Sequence, residues 1–89
     1  MDIFQVEGPL VCTRRIAGLK HASLRVLRDA NGKRQVATDP VGARAGTHVF
    51  TVNGSAARYA QGDFAVLTDL AIGGIIDDWD SASAGPAAD

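Results

Sequence analysis

From Ile3 to Arg15 apolar and polar residues alternate. Phe4, Val6, Leu10 and Cys12 fall on one face of an extended chain, and Gln5, Glu7, Thr13 and Arg15 fall on the other. Successive side chains of a strand point to opposite faces, so a period of two commits this segment to a sheet. Gly8-Pro9 interrupts the run, and proline has no N–H to give to a ladder. A bulge or sharp bend is expected there, letting one long strand serve two parts of a barrel. On this reading Cys12 is a small buried hydrophobe on a strand.

The same alphabet recurs downstream. Ala17 to His21 reads as a loop. Ser23 to Arg28 sets Leu24 and Val26 on one face, and Arg34 to Val41 carries Val36. Between them Asp29-Ala30-Asn31-Gly32-Lys33 contains Asn-Gly, a strong hairpin signal because both residues tolerate positive φ. Pro40 ends the second strand, and Gly42 to Gly46 reads as a flexible loop. Thr47-His48-Val49-Phe50-Thr51-Val52 is rich in β-branched and aromatic residues and reads as a fourth strand. A helix of one or two turns follows over Gly54 to Ala60, with Ser55 placed to cap it and Gln61-Gly62 to stop it.

Phe64 to Trp79 reads as the last strand, with Gly73-Gly74 marking a bulge or the close approach of another backbone. From Ser81 the tail offers nothing large to bury and is expected to be disordered. The expected domain therefore runs over residues 1–80, with a tail over 81–89. Five strands, one short helix between the fourth and fifth, and no βαβ alternation predict an all-β fold. A small five-stranded barrel of the oligonucleotide-binding (OB-like) type hides the edges of so few strands.

At 89 residues the chain is one small domain, and a domain of this size often leaves apolar area for a partner subunit to cover. The single cysteine rules out an intrachain disulfide. No apolar stretch approaches the ~20 residues that span a bilayer, and the amino terminus lacks the basic start of a secretion signal. A cytoplasmic protein is expected, with no membrane partner.

Charge is unevenly placed. Seven of the nine Lys and Arg lie between Arg14 and Arg34, whereas six of the ten acids lie from Asp63 onward. Two solvated surfaces account for this pattern, and so does a head-to-tail ring in which a basic flank carrying Arg25 and Arg28 faces an acidic flank on the next subunit.

Catalytic or metal chemistry finds little to use. The chain has two histidines, His21 and His48, one cysteine, and no glutamate beyond Glu7, so no recognisable metal-ligand spacing exists. Asp77 and Asp78 are neighbours, and on a strand neighbours point to opposite faces. Asn53-Gly54-Ser55-Ala56-Ala57-Arg58 is the most pointed local feature. A glycine-containing turn entering a helix presents N–H groups to an anion, with Arg58 placed to assist. Its small residues equally allow chains to approach closely around an axis. Nucleic acid is disfavoured as a partner by a pI near 6.0 and 6% aromatics, since single-strand binders combine a basic groove with exposed stacking aromatics.

Taken in order, five segments are similar to the pentameric vertex proteins of bacterial microcompartments. They are Gln5-Val6-Glu7-Gly8-Pro9-Leu10-Val11, Leu24-Arg25-Val26-Leu27, Val36 to Gly42, Gly54-Ser55-Ala56-Ala57-Arg58, and Thr68 to Asp77. The likeness covers Met1 to Trp79. It is strongest to the vertex proteins of the α-type carboxysome, in their B form through Leu70 to Trp79 and Ala56 to Tyr59; the tail after Asp80 departs from it. The resemblance implies a five-stranded barrel, a homopentamer, hexameric shell tiles as neighbours, and a shell that retains carbon dioxide. It implies no catalytic residue and no cofactor. It also places Gly54 to Arg58 near the five-fold axis, with Ser55 and Ala56 on a pore rim. Interface candidates are Arg25, Arg28, Gly73, Gly74 and Trp79.

Overall fold

The computed structural model describes residues 1–77. It comprises β1 (Ile3–Pro9), a 3₁₀ turn (Ala17–Leu19), β2 (Leu24–Arg28), β3 (Arg34–Thr38), β4 (His48–Asn53), α1 (Ser55–Gln61) and β5 (Leu70–Ile76). The strands close into a barrel in the order β1-β2-β3-β5-β4. Neighbours pair antiparallel, except that β3 and β5 run parallel and share one residue pair, Thr38 with Ala71.

The barrel encloses Phe4, Val6, Leu27, Ala37, Ala43, Val49 and Ile72. Alternation delivers Phe4 and Val6 to the interior as the sequence predicts. The expected single strand to Arg15 does not form. The β1–β2 register slips between Val6 and Gly8, and β1 ends at Pro9, which cannot extend the ladder. Cys12 is therefore on no strand and is exposed. In β2 the residue turned into the core is Leu27, fully buried; Val26 pairs with Val36 on the outer face. Apolar residues stand on both faces of β2, so periodicity alone could not say which one faces in.

The β2–β3 turn is the predicted hairpin, but only its glycine leaves the ordinary backbone region: Gly32 has φ +84°, and Asn31 does not have positive φ. Asp29 accepts N–H bonds from Asn31 and Lys33 at 2.8 and 2.9 Å, so the aspartate side chain organises the turn. The segment after β3 is a loop, as expected, and its first residues are tied down by a side chain. Asp39 accepts from the amides of Val41, Gly42 and Ala43 at 2.8–3.0 Å, and Ala43 is buried. Gly54, rather than Ser55, occupies the N-cap of α1, with no side-chain cap. Gly62 ends α1 with φ +90°, as expected of a left-handed C-cap. Phe64 to Asp69 forms turns rather than strand, and β5 begins at Leu70.

Candidate assembly surfaces and pore rim

The basic segment finds partners within its own chain. Arg25 Nε lies 3.1 Å from Asp39, whose side chain has no exposed surface, and it also donates to the Ala43 carbonyl at 3.1 Å. Glu7 bridges Arg34 at 3.1 Å and Arg28 at 3.7 Å, and Arg28 further donates to Gln5 Oε1. Lys20 meets Asp63 at 2.7 Å, an intrachain contact between the basic segment and the acidic one. The Lys20 and Ala65 donors hold the Asp63 carboxyl below its ordinary pKa. The two arginines predicted to face a neighbour thus have carboxylates of their own. Sequence spacing missed Asp39 and Glu7 as these partners because barrel pairing, not chain distance, brings them together.

In the Gly54–Arg58 turn, Gly54 has φ +64°, Ser55 and Ala56 are exposed, and Ala57 is fully buried. Ala57 therefore faces its own barrel, leaving Ser55 and Ala56 as the outward small residues. Arg58 does not reach for the helix amino terminus. It lies in the last turn with its guanidinium carbon 5.3 Å from the Phe64 ring centre. Tyr59 packs against the same ring, tilted by 43° with ring centres 4.9 Å apart. The anion reading needed Arg58 beside the turn's N–H groups, and this placement directs it elsewhere.

Gly73 and Gly74 sit at a break in the β4–β5 register, where Phe50 pairs with Gly74 and Thr51 with Ile72. What approaches them is a ring, not a backbone. A Cβ on Gly73 or Gly74 would stand 2.7 or 2.5 Å from Phe50 ring carbons. The ring consequently lies flush on the outside of the barrel. Trp79, the Asp77-Asp78 pair as a whole and the tail from Ser81 lie outside the described residues.

Among the described residues no group of three His, Cys, Asp or Glu comes together as a metal site, and no helix is long and apolar enough to cross a membrane.

Comparison with known proteins agrees with this architecture. The family described as ethanolamine utilisation protein EutN/carboxysome matches residues 1–77. The chain is 58% identical over 79 residues to the carboxysome shell vertex protein CsoS4B of Halothiobacillus neapolitanus, covering 89% of this chain and 98% of that one. It is 60% identical over 72 residues to CsoS4B of Prochlorococcus marinus, covering 81% and 99%. The solved structure of the Halothiobacillus CsoS4B superposes with a TM-score of 0.82 over 86% of this chain and 99% of that one. The pentameric shell protein MSM0273 of the RMM microcompartment, 31% identical, gives 0.79 over 91% and 96%. A barrel of this strand order, matched along nearly its whole length by shell proteins, leads to one assignment: the chain belongs to the EutN/carboxysome family of microcompartment shell vertex proteins.

Proposed function

We propose that this chain is a structural protein of the carboxysome shell, forming homopentamers that occupy the vertices and close the shell against leakage of carbon dioxide. The observation that carries the reading is the 58% identity to a shell vertex protein over 98% of its length. Support for five-fold assembly comes from neighbours described as pentameric shell proteins, MSM0273 and GrpN of Rhodospirillum rubrum. A planar layer of hexameric tiles cannot close on itself, and a five-fold unit supplies the missing curvature; hexameric shell proteins are accordingly its neighbours. The role is architectural and requires no reaction.

Native mass spectrometry tests the core of this reading. A mass of five chains is expected, and a monomer at micromolar concentration overturns it. Removing the protein, together with any paralogue, is expected to leave shells that leak carbon dioxide. Unchanged retention removes the sealing role.

The exposed pair Ser55 and Ala56 is the part of the Gly54–Arg58 turn suited to a pore rim, because small side chains let five backbones crowd an axis. In a Cys12→Ser background, Ser55→Cys is expected to cross-link neighbouring subunits on oxidation. Absence of that cross-link moves the rim elsewhere.

A further inference from the structure

One row of side chains crosses four strands on the outside of the barrel. Arg28 of β2 pairs with Gln5 of β1, Gln5 with His48 of β4, and His48 with Ile76 of β5. Side chains directly opposite in antiparallel strands share a face. Phe4 and Val49, the chain neighbours of Gln5 and His48, are buried, so this row faces outward. Beside it lies a cavity of about 540 Å³, with Ile3, Phe4 and Ala30 as its apolar lining and Gln5, Arg28 and His48 as its polar one. Asp29 also lines it, but its Oδ1 is engaged by its own hairpin, accepting from Asn31 and Lys33. Glu7 stands 3.7 Å from Arg28, beyond hydrogen-bond distance, so the guanidinium charge is only partly answered.

Strand β5 ends on this row. Ile76 is its last residue, Asp77 is in a turn, and the sequence continues Asp78-Trp79-Asp80. Paired strands lie ~4.8 Å apart and an extended chain advances ~3.3 Å per residue, so three residues turned across the sheet from Ile76 reach past His48 to the level of Gln5. That is the edge of the cavity. An indole has an apolar body and one N–H to satisfy. Ile3, 43% exposed, offers the apolar wall, and Gln5 Oε1, which already accepts from Arg28, has a second lone pair for the N–H. The acids that flank Trp79 are opposite in sign to Arg28.

We propose that this cavity is the docking site for the carboxyl-terminal segment of the same chain, with Trp79 inserted against Ile3 and Arg28. The segment then ties the end of β5 to the β2–β3 hairpin across the two strands between them. A tethered segment three residues from its site is at high effective concentration there, which favours it over the same segment of a second copy. The contact is made within one subunit and does not rest on the pentamer reading.

Trp79 is the only tryptophan of the chain, so its fluorescence tests the contact directly. In the full-length protein its emission is expected to be blue-shifted from that of an indole in water, and its quenching by acrylamide slowed several-fold. Ala30→Phe, at an exposed position, fills the cavity and is expected to return both readings to those of an exposed indole, with thermal unfolding to establish that the variant folds. Water-like emission in the unaltered protein overturns the contact, and so does protection that Ala30→Phe leaves unchanged. The source of the segment is read separately, by oxidising a chain that carries Ala30→Cys and Asp80→Cys in a Cys12→Ser background. A cross-linked species of one-chain mass on a denaturing gel is expected. A two-chain species gives the cavity to the segment of a neighbour and overturns the assignment, as does the absence of any cross-link.

Discussion

Arg25 holds Asp39 at 3.1 Å across the start of the loop that follows β3, and the Asp39 side chain is wholly buried. That carboxylate also takes three consecutive backbone N–H groups, from Val41 to Ala43. Three amides and a guanidinium satisfy one buried charge, and they tie Val41 to Ala43 to the end of β3. Asp39→Ala removes the carboxylate from the three amides at once and leaves Arg25 with backbone carbonyls alone, those of Ala43 and Leu24. A loss of about 3 kcal/mol is expected from unsatisfied buried donors and a broken ion pair, read by urea unfolding. Asp39→Asn, which keeps one acceptor oxygen, should lose less.

Gly74→Ala sets a methyl 2.5 Å from the Phe50 ring, so the ring must lift from the barrel. About 1–2 kcal/mol of destabilisation is expected from overpacking. Phe50→Leu in the same chain should recover part of it, and a double-mutant cycle measures the coupling. Additive effects would show that the two residues do not touch.

Gly32→Ala meets no atom within 4 Å, yet its φ of +84° is unfavourable to any Cβ. The expected cost is about 1 kcal/mol of backbone strain alone. Gly32→Asn, which tolerates the left-handed region, should cost less in the same thermal unfolding assay.

The Lys20–Asp63 contact has a defined pH sense. Asp63 has a lower pKa folded than unfolded, so its contribution is present above the unfolded value and is lost as pH falls through the folded one. Lys20→Ala should return the Asp63 titration, followed by carboxyl NMR, toward the ordinary aspartate range. Both side chains are about half exposed, so salt should shrink the effect.

The succession of five strands along the chain, the hairpin at Asn31-Gly32 and the short helix were legible because each depends on neighbours in sequence. The errors fall where distant chain decides. Pro9 ends β1 because β2 pairs out of step past Val6, and Cys12 loses its predicted burial as a result. Leu24 and Val26 share one face of β2, as alternation requires, but which face turns to the core depends on how β2 meets its partners, and alternation does not encode that when both faces are apolar. Arg25 and Arg28 read as interface residues because their partners, Asp39 and Glu7, lie 14 and 21 positions away in the sequence. The vertex assignment was legible for a different reason: the order and spacing of several ordinary segments, none distinctive alone.

The parallel seam of β3 and β5 has one residue pair, supported by the Thr38 and Thr68 hydroxyls at the Leu70 carbonyl. With so few bonds across it, this seam is the low-energy route to local opening, and its amides should exchange with solvent ahead of those in β1 and β4. Thr38 and Thr68 also line a groove on the outer face of β2 and β3, so parting the seam and widening that groove are one and the same local event.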